Sequence, residues 1–458
     1  MNVSFRNILV WLAILSLAIE IPILQIGGSG VKIWILAAIL GGFVLFWNIY
    51  RKKSLSLLKK SKIFWLGIGF TLFSALGIIN SPLKSYSIKQ LAVLILLIVL
   101  GIFFETNFKT HQKQISAALA WGLFLSSIAA IYQNVAFEYG WPHFEAMAAR
   151  PNAFFPEPDW LGLFLVLGLV PFLVWVGIKR EKSRLPKILI NKYLFYSFLV
   201  VNTIAIILTV ARASWLALFA EMGVILILLL YKLGIGHWTL DTQKSSQYSV
   251  PSSQLFKTVT AFISLIIFSL IIINIFHLTR FNIPDRFRSI ILREHIVTLA
   301  QNPATGEKFK INLEEVNYYK NLGYSIQEEY TRDENVASRE EKVASTWDII
   351  RQHPVWGSGL GVTLIATNYQ HNANNLFLEW WASAGLGGLF LIIGLLVYLL
   401  SKGTALIKKD FSKAQIILAG TVGFIIVNLF NASIFLAFAW FFLAFLLSNV
   451  VLTNHKKV

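Results

Sequence analysis

Cysteine is absent from this sequence, which excludes disulfides and thiolate metal sites. Charge is scarce as well: Asp, Glu, Lys and Arg make up 14% of the residues, against about 25% in a soluble domain. Within that small share acids are the scarcer sign, 23 against 40 Lys and Arg. No internal repeat and no low-complexity tract interrupts the 458 residues, and 241–253 is merely a Ser/Gln-rich connection. What the chain has in excess is apolar: 56% of residues, with a mean hydropathy of +0.65. About 20 apolar residues cross the hydrocarbon of a bilayer, and runs of that kind recur from end to end.

Twelve such runs are predicted as spans, near 8–26, 31–50, 63–80, 88–104, 115–136, 159–178, 194–211, 214–231, 258–278, 374–400, 415–432 and 434–453. The first has no small-residue cleavage site after it and reads as a retained helix. The fold class expected is therefore an all-α polytopic membrane protein of about 12 transmembrane helices. Residues 1–278 hold helices 1–9, 279–373 form one large extracytoplasmic loop containing short helices, and 374–458 hold helices 10–12 and a tail.

Charge orients the stack. The connection after the second span carries Arg51, Lys52, Lys53, Lys59, Lys60 and Lys62, and the one after the sixth Lys179, Arg180, Lys182, Arg184 and Lys187. After the tenth come Lys402, Lys408, Lys409 and Lys413, and the tail ends in Lys456 and Lys457. Basic connections face the cytoplasm, so both termini are expected there. The net charge of +17 is thus a topology signal; without a basic-aromatic stripe or a known module, nucleic acid is not an expected partner.

The connections on the other side contain the residues of chemical interest. The stretch 279–373 holds 12 of the 23 acids and 11 of the 40 basic residues, mixed like the surface of a soluble domain. Within it, 338–353 puts Val343, Trp347 and Ile350 at helical spacing, with Ser338 and Glu341 as a capping box. Pro354 ends that helix, and Gly357, Gly359 and Gly361 follow. Arg212 stands where the seventh span meets the eighth. It reads either as an arginine snorkelling to headgroups or as a guanidinium that grips a phosphate through paired hydrogen bonds. Glu20, Glu221 and Glu379 lie inside apolar runs, where the structural reading is a hydrogen-bonded helix contact and the functional one an intramembrane site. Arg150, Glu157 and Asp159 cluster before the sixth span; two acids without a third ligand are weak evidence for a metal site, and Asp159 suits a helix cap. If a helix already runs from His371, then His371, Asn374 and Asn375 share one face at its start, where free N–H groups suit an anion.

Taken in order, these motifs resemble the O-antigen ligase and polysaccharide polymerase superfamily. Arg212-Ala-Ser-Trp-Leu216 is similar to its arginine-x3-leucine element. Arg339, Trp347 and His353-Pro-Val-Trp-Gly-Ser-Gly-Leu-Gly361 resemble the end of its long loop. His371 to Gly385 resembles its histidine-asparagine pair followed by a helix with a fixed glycine, and Arg150 to Gly162 its earlier outer loop. There is one departure. Nine residues usually separate the pair from the glycine, and that count back from Gly385 lands on Asn374-Asn375. His371-Asn372 stands three residues earlier, about 5 Å along a helix.

The resemblance implies a GT-C-like bundle in a bacterial inner membrane. It also implies transfer of a glycan from undecaprenyl diphosphate to a hydroxyl, on a lipid A core sugar, a growing polysaccharide or a protein. Arg212 and Arg339 would clamp the diphosphate, and His371 would act as base or orient the acceptor. Arg150, Asn374 and Asn375 would bind substrate. The expected reaction is inverting and metal-independent, with no cofactor; polysaccharide assembly proteins are possible partners. Two other classes fit twelve spans: a lipid-glycan flippase, which should show two similar halves, and a non-catalytic partner of a polysaccharide export complex.

Overall fold

The structure, a computed structural model, describes the chain except residues 1–2, 27–28, 53–54, 109, 145–149, 181–191, 233–251, 280–282, 285–293, 304, 312–314, 333, 367–372 and 452–458. It divides into two compact units, Met1–Thr279 with Ser345–Val458, and Arg280–Ala344.

The first unit is a helical bundle. Its apolar helices are α1 (Val3–Ser16), α2 (Ile33–Lys52), α4 (Lys62–Ile79), α5 (Lys84–Asn107), α6 (Gln112–Tyr139), α7 (Pro158–Arg180), α8 (Lys192–Leu208), α9 (Arg212–Lys232), α10 (Ser252–Ile275), α14 (Leu376–Leu406), α15 (Phe411–Asn428) and α16 (Ala437–Val451), with the short α3 (Ser56–Lys60) between α2 and α4. Each expected apolar run falls on one of them. Among the described residues seven are long and apolar enough to cross a membrane: α2, α4, α5, α6, α9, α14 and α15; the other five carry shorter apolar segments. The chain is a multi-pass membrane protein.

Side-chain bonds tie opposite ends of consecutive helices. The carboxylate of Glu105, near the end of α5, accepts from the Lys62 and Ile63 N–H groups at the start of α4, both at 3.1 Å. Ser61 caps α4 by accepting from the Phe64 N–H. Lys62 and Lys402 both approach Tyr398, 4.3 and 5.7 Å from its ring. This lysine-rich end also includes Lys232, 4.7 Å from the Phe411 ring. Helix α16 is buried on every face, as an all-round apolar helix must be. Its rings interlock with the neighbours: Phe438 with Phe164 at 4.6 Å and Phe441 with Phe104 at 5.0 Å.

The first helix stops at Ser16, short of the predicted 8–26: the Glu20 and Ile21 N–H groups donate to the Phe154 carbonyl at 2.9 and 3.0 Å instead, and Pro22 has no N–H to resume it. The chain turns instead into a hairpin of β1 (Leu24–Ile26) and β2 (Ser29–Val31).

The second unit corrects the all-α class: it holds more than the short helices expected of the 279–373 loop. It contains an antiparallel sheet in the order β4 (Lys308–Ile311), β3 (Glu294–Gln301), β5 (Ser325–Arg332), with Thr298 opposite both Ile311 and Glu328. Strand β5, SIQEEYTR, is polar along most of its length, so no apolar run advertises it. Phe309, Tyr319 and Tyr324 meet edge to face at 5.2–5.7 Å; Tyr319 belongs to the short helix α11 (Val316–Asn321).

Helix α12 (Glu334–Gln352) runs from the second unit into the first. It begins a turn before the predicted capping box, so Ser338 lies inside it, but it ends before Pro354 as expected. Its last turns pack Ile350 and Trp347 on α14, with the Trp347 ring 5.2 Å from Trp381.

Candidate functional site

The end of the bundle opposite the lysines brings together several helix starts. Arg212 is the first residue of α9. It follows a tight turn in which Val210 has φ +52, a left-handed conformation rare for a β-branched residue and most often kept at functional sites. Thr209 stabilises that turn, accepting from the Ala211 N–H at 3.3 Å. Helices α7 and α9 approach closely here: a Cβ on Gly162 would stand 2.5 Å from the Ser214 hydroxyl.

Arg150 straps this corner together. Its Nε donates to the Thr209 carbonyl at 3.0 Å and its Nη2 to Asp159 Oδ1 at 2.7 Å. The guanidinium is thereby fixed three residues from Arg212, and Asp159, in the first turn of α7 behind Pro158, serves as its partner. Gln133 Oε1 holds the following loop by accepting from the Asn152 and Ala153 N–H groups at 3.1 and 2.7 Å. Sequence reasoning missed a third cation. Lys32 donates to Glu20 Oε2 at 2.8 Å and lies 5.8 Å from the ring of Trp160, next to Asp159. Glu20 stands beyond α1 rather than inside a span; its Oε1 accepts from the Ala437 N–H that opens α16. Arg150, Arg212 and Lys32 thus gather with Glu20, Glu157 and Asp159 at the positive ends of α7 and α9. Only the basic residue flanking a span could have signalled Lys32.

A second group gathers at the start of α14. Asn375 caps that helix, accepting from the Phe377 and Leu378 N–H groups at 3.0 and 3.1 Å and donating to the Leu429 carbonyl at 3.2 Å. The helix therefore starts at Leu376, and the face shared by His371, Asn374 and Asn375 does not form: Asn375 is extended and Asn374 has φ +51. His371 lies outside the described residues. Asn375 spends its amide on the protein, whereas the half-buried Asn374 amide makes no hydrogen bond among the described residues.

The glycine motif has a physical role. At Gly385 (φ 65, ψ −164) α14 breaks, and the arm after α12 fills the break. Ser358 and Gly359 N–H donate to the Ala382 and Ser383 carbonyls at 2.7 and 3.0 Å, while Leu386 N–H donates back to Pro354 and Val355 at 3.2 Å. A Cβ on Gly385 would lie 2.0 Å from the Val355 carbonyl oxygen.

The structure thus brings Arg150 and Arg212 together, with Lys32 added, and sets Asn374 beside the cap Asn375. Arg339 is half-buried on the part of α12 that belongs to the second unit.

No curated protein matches the chain. Residues 195–393 match the family model described as O-antigen ligase. The matched segment holds Arg212, Arg339, His371, Asn374 and the Gly385 break; Arg150 precedes it. Over the segment that carries these motifs, the chain is therefore similar to the O-antigen ligase family.

Proposed function

We propose that this protein transfers a glycan from undecaprenyl diphosphate to an acceptor hydroxyl at the outer face of a bacterial inner membrane. All twelve apolar helices cross the bilayer in this reading, as a GT-C-like bundle with both termini cytoplasmic. The observation that carries it is Arg150, bonded to Asp159 at the start of α7 and to the Thr209 carbonyl three residues before Arg212 opens α9, at the end remote from the lysine-rich connections. Basic connections stay inside, so the arginine end faces out.

In the reaction the acceptor oxygen bonds to the anomeric carbon as the bond from that carbon to the diphosphate oxygen breaks. The electron pair leaves with the lipid diphosphate, and the acceptor's proton passes to the His371 imidazole. Attack opposite the leaving group inverts the configuration. Negative charge grows on the diphosphate, where Arg212 stabilises it, helped by Arg150. A planar guanidinium grips two oxygens at once, which a lysine cannot. The acceptor is a lipid A core sugar, a glycan repeat or a protein hydroxyl, oriented by Asn374.

The test is Arg212→Lys in purified protein supplied with a lipid diphosphate-linked glycan. Loss of most transfer, with normal membrane insertion, is expected; near-normal transfer refutes the clamp. Chelation should leave the wild type active, and loss restored by a divalent ion would shift the charge role to a metal near Glu157 and Asp159.

A further inference from the structure

Glu379 is fully buried in the first turn of α14, yet the helix start does not need it, because Asn375 already caps it. Burying a carboxylate is costly unless its oxygens are satisfied, and here they are. The Thr363 hydroxyl lies 2.8 Å from both oxygens and donates to them, the Ala373 N–H donates at 3.0 Å and the Ser383 hydroxyl at 3.4 Å. Two of these partners come from outside the helix, and both adjoin the site. Thr363, itself fully buried, opens the short helix α13 (Thr363–Ala366) just after Gly357, Gly359 and Gly361. That arm is already fixed to the break in α14, and Gly361 is packed so tightly on Tyr86 that a Cβ would lie 2.5 Å from its ring. Ala373 immediately precedes Asn374.

We propose that Glu379, anchored by Thr363, is a positioning residue: by holding the Ala373 N–H it fixes the left-handed Asn374, whose amide orients the acceptor hydroxyl. This rests on the glycosyl-transfer reading above. The chain of contacts is short and rigid. The glycine arm fixes Thr363, Thr363 directs its hydroxyl at the carboxylate, and the carboxylate fixes the residue before Asn374. Without that hold the Asn374 backbone is free to leave a conformation it adopts at a cost. Misplacement by about 1 Å at a reacting centre costs up to about a hundredfold in rate. Donor binding is left alone, because Arg150 is held by Thr209 and Asp159, at the starts of α9 and α7 rather than of α14.

The experiment uses the full chain, purified and reconstituted, with undecaprenyl diphosphate-linked oligosaccharide as donor and a soluble oligosaccharide with a free terminal hydroxyl as acceptor. Thr363→Val should lower kcat and raise the acceptor KM, together by about ten- to a hundredfold in kcat/KM, with the donor KM unchanged. Thr363→Ser should restore most of the loss. In an Asn374→Ala background Thr363→Val should have little further effect, because both act through one amide. Should Thr363→Val fail to fold, Glu379→Gln takes its place in the same cycle. Unchanged acceptor kinetics, an equal rise in donor KM, or additive losses in the cycle overturn the positioning role alone. No transfer by the wild type overturns the glycosyl-transfer reading and this role with it.

Discussion

Replacing Gly385 by alanine tests whether the broken helix is a built feature. The native backbone there (φ 65, ψ −164) lies in a region that essentially only glycine occupies, so alanine adds about 1–3 kcal/mol of strain. Its Cβ would also stand 2.0 Å from the Val355 carbonyl oxygen and 2.7 Å from the Trp356 carbonyl carbon. These are backbone atoms that cannot swing aside. Separating the arm from the break forfeits the bonds from Ser358 and Gly359 to Ala382 and Ser383, about 1 kcal/mol each. The combined loss is about 3–5 kcal/mol. Gly394, on the same helix with open space around it, supplies the comparison: alanine there should stabilise the helix by about 0.5–1 kcal/mol. Thermal unfolding of the two variants in one detergent, followed by tryptophan emission, reads the difference. Because Trp347 and Trp381 report on the arm and the helix it docks to, their emission should shift in Gly385→Ala before global unfolding. Equal melting temperatures for the two variants would refute the docking argument.

Gly423 receives the Glu221 carboxyl group so closely that a Cβ would lie 1.9 Å from Oε1, so Gly423→Ala should lower the melting temperature and Glu221→Ala should rescue it in the double variant. Among the described residues neither Glu221 oxygen has a hydrogen-bond partner; Glu221→Gln should therefore melt no lower than the wild type. Cysteines at Glu315 and Lys409 should differ toward a membrane-impermeant thiol reagent in intact cells, the first labelled and the second not. His371→Ala should cost roughly 10²–10⁴ in rate and remove the acid limb of the pH–rate profile; near-normal turnover would leave Asn374 as the group that orients the hydroxyl.

Apolar runs are a local property of the chain, which is why the apolar helices described in the bundle could be read from sequence. Where the run outlasted the helix, as over residues 17–26, hydropathy could not see the turn that Pro22 and the hairpin impose. The sheet of the second unit escaped because β5 alternates polar residues with few apolar ones. At the site, Arg212 and Arg150 stood out as charges beside apolar runs, but their juxtaposition depends on the Thr209 carbonyl, 59 residues from Arg150. Glu379 was visible as an acid in a span. Its partners were not, because Thr363 and Ala373 reach it only after the arm has docked at Gly385. Asn374 and Asn375 do not share a helical face for a local reason: an asparagine that caps a helix cannot also lie on its face.

The central claim is most directly tested by purified wild-type protein in proteoliposomes with undecaprenyl diphosphate-linked oligosaccharide and a soluble hydroxyl acceptor. The account predicts glycosylated acceptor and free undecaprenyl diphosphate in equal amounts, with the anomeric configuration inverted, and abolition of both in Arg212→Ala. Donor moved across the bilayer intact, with neither product formed, would contradict it and make the protein a carrier of its lipid-linked glycan.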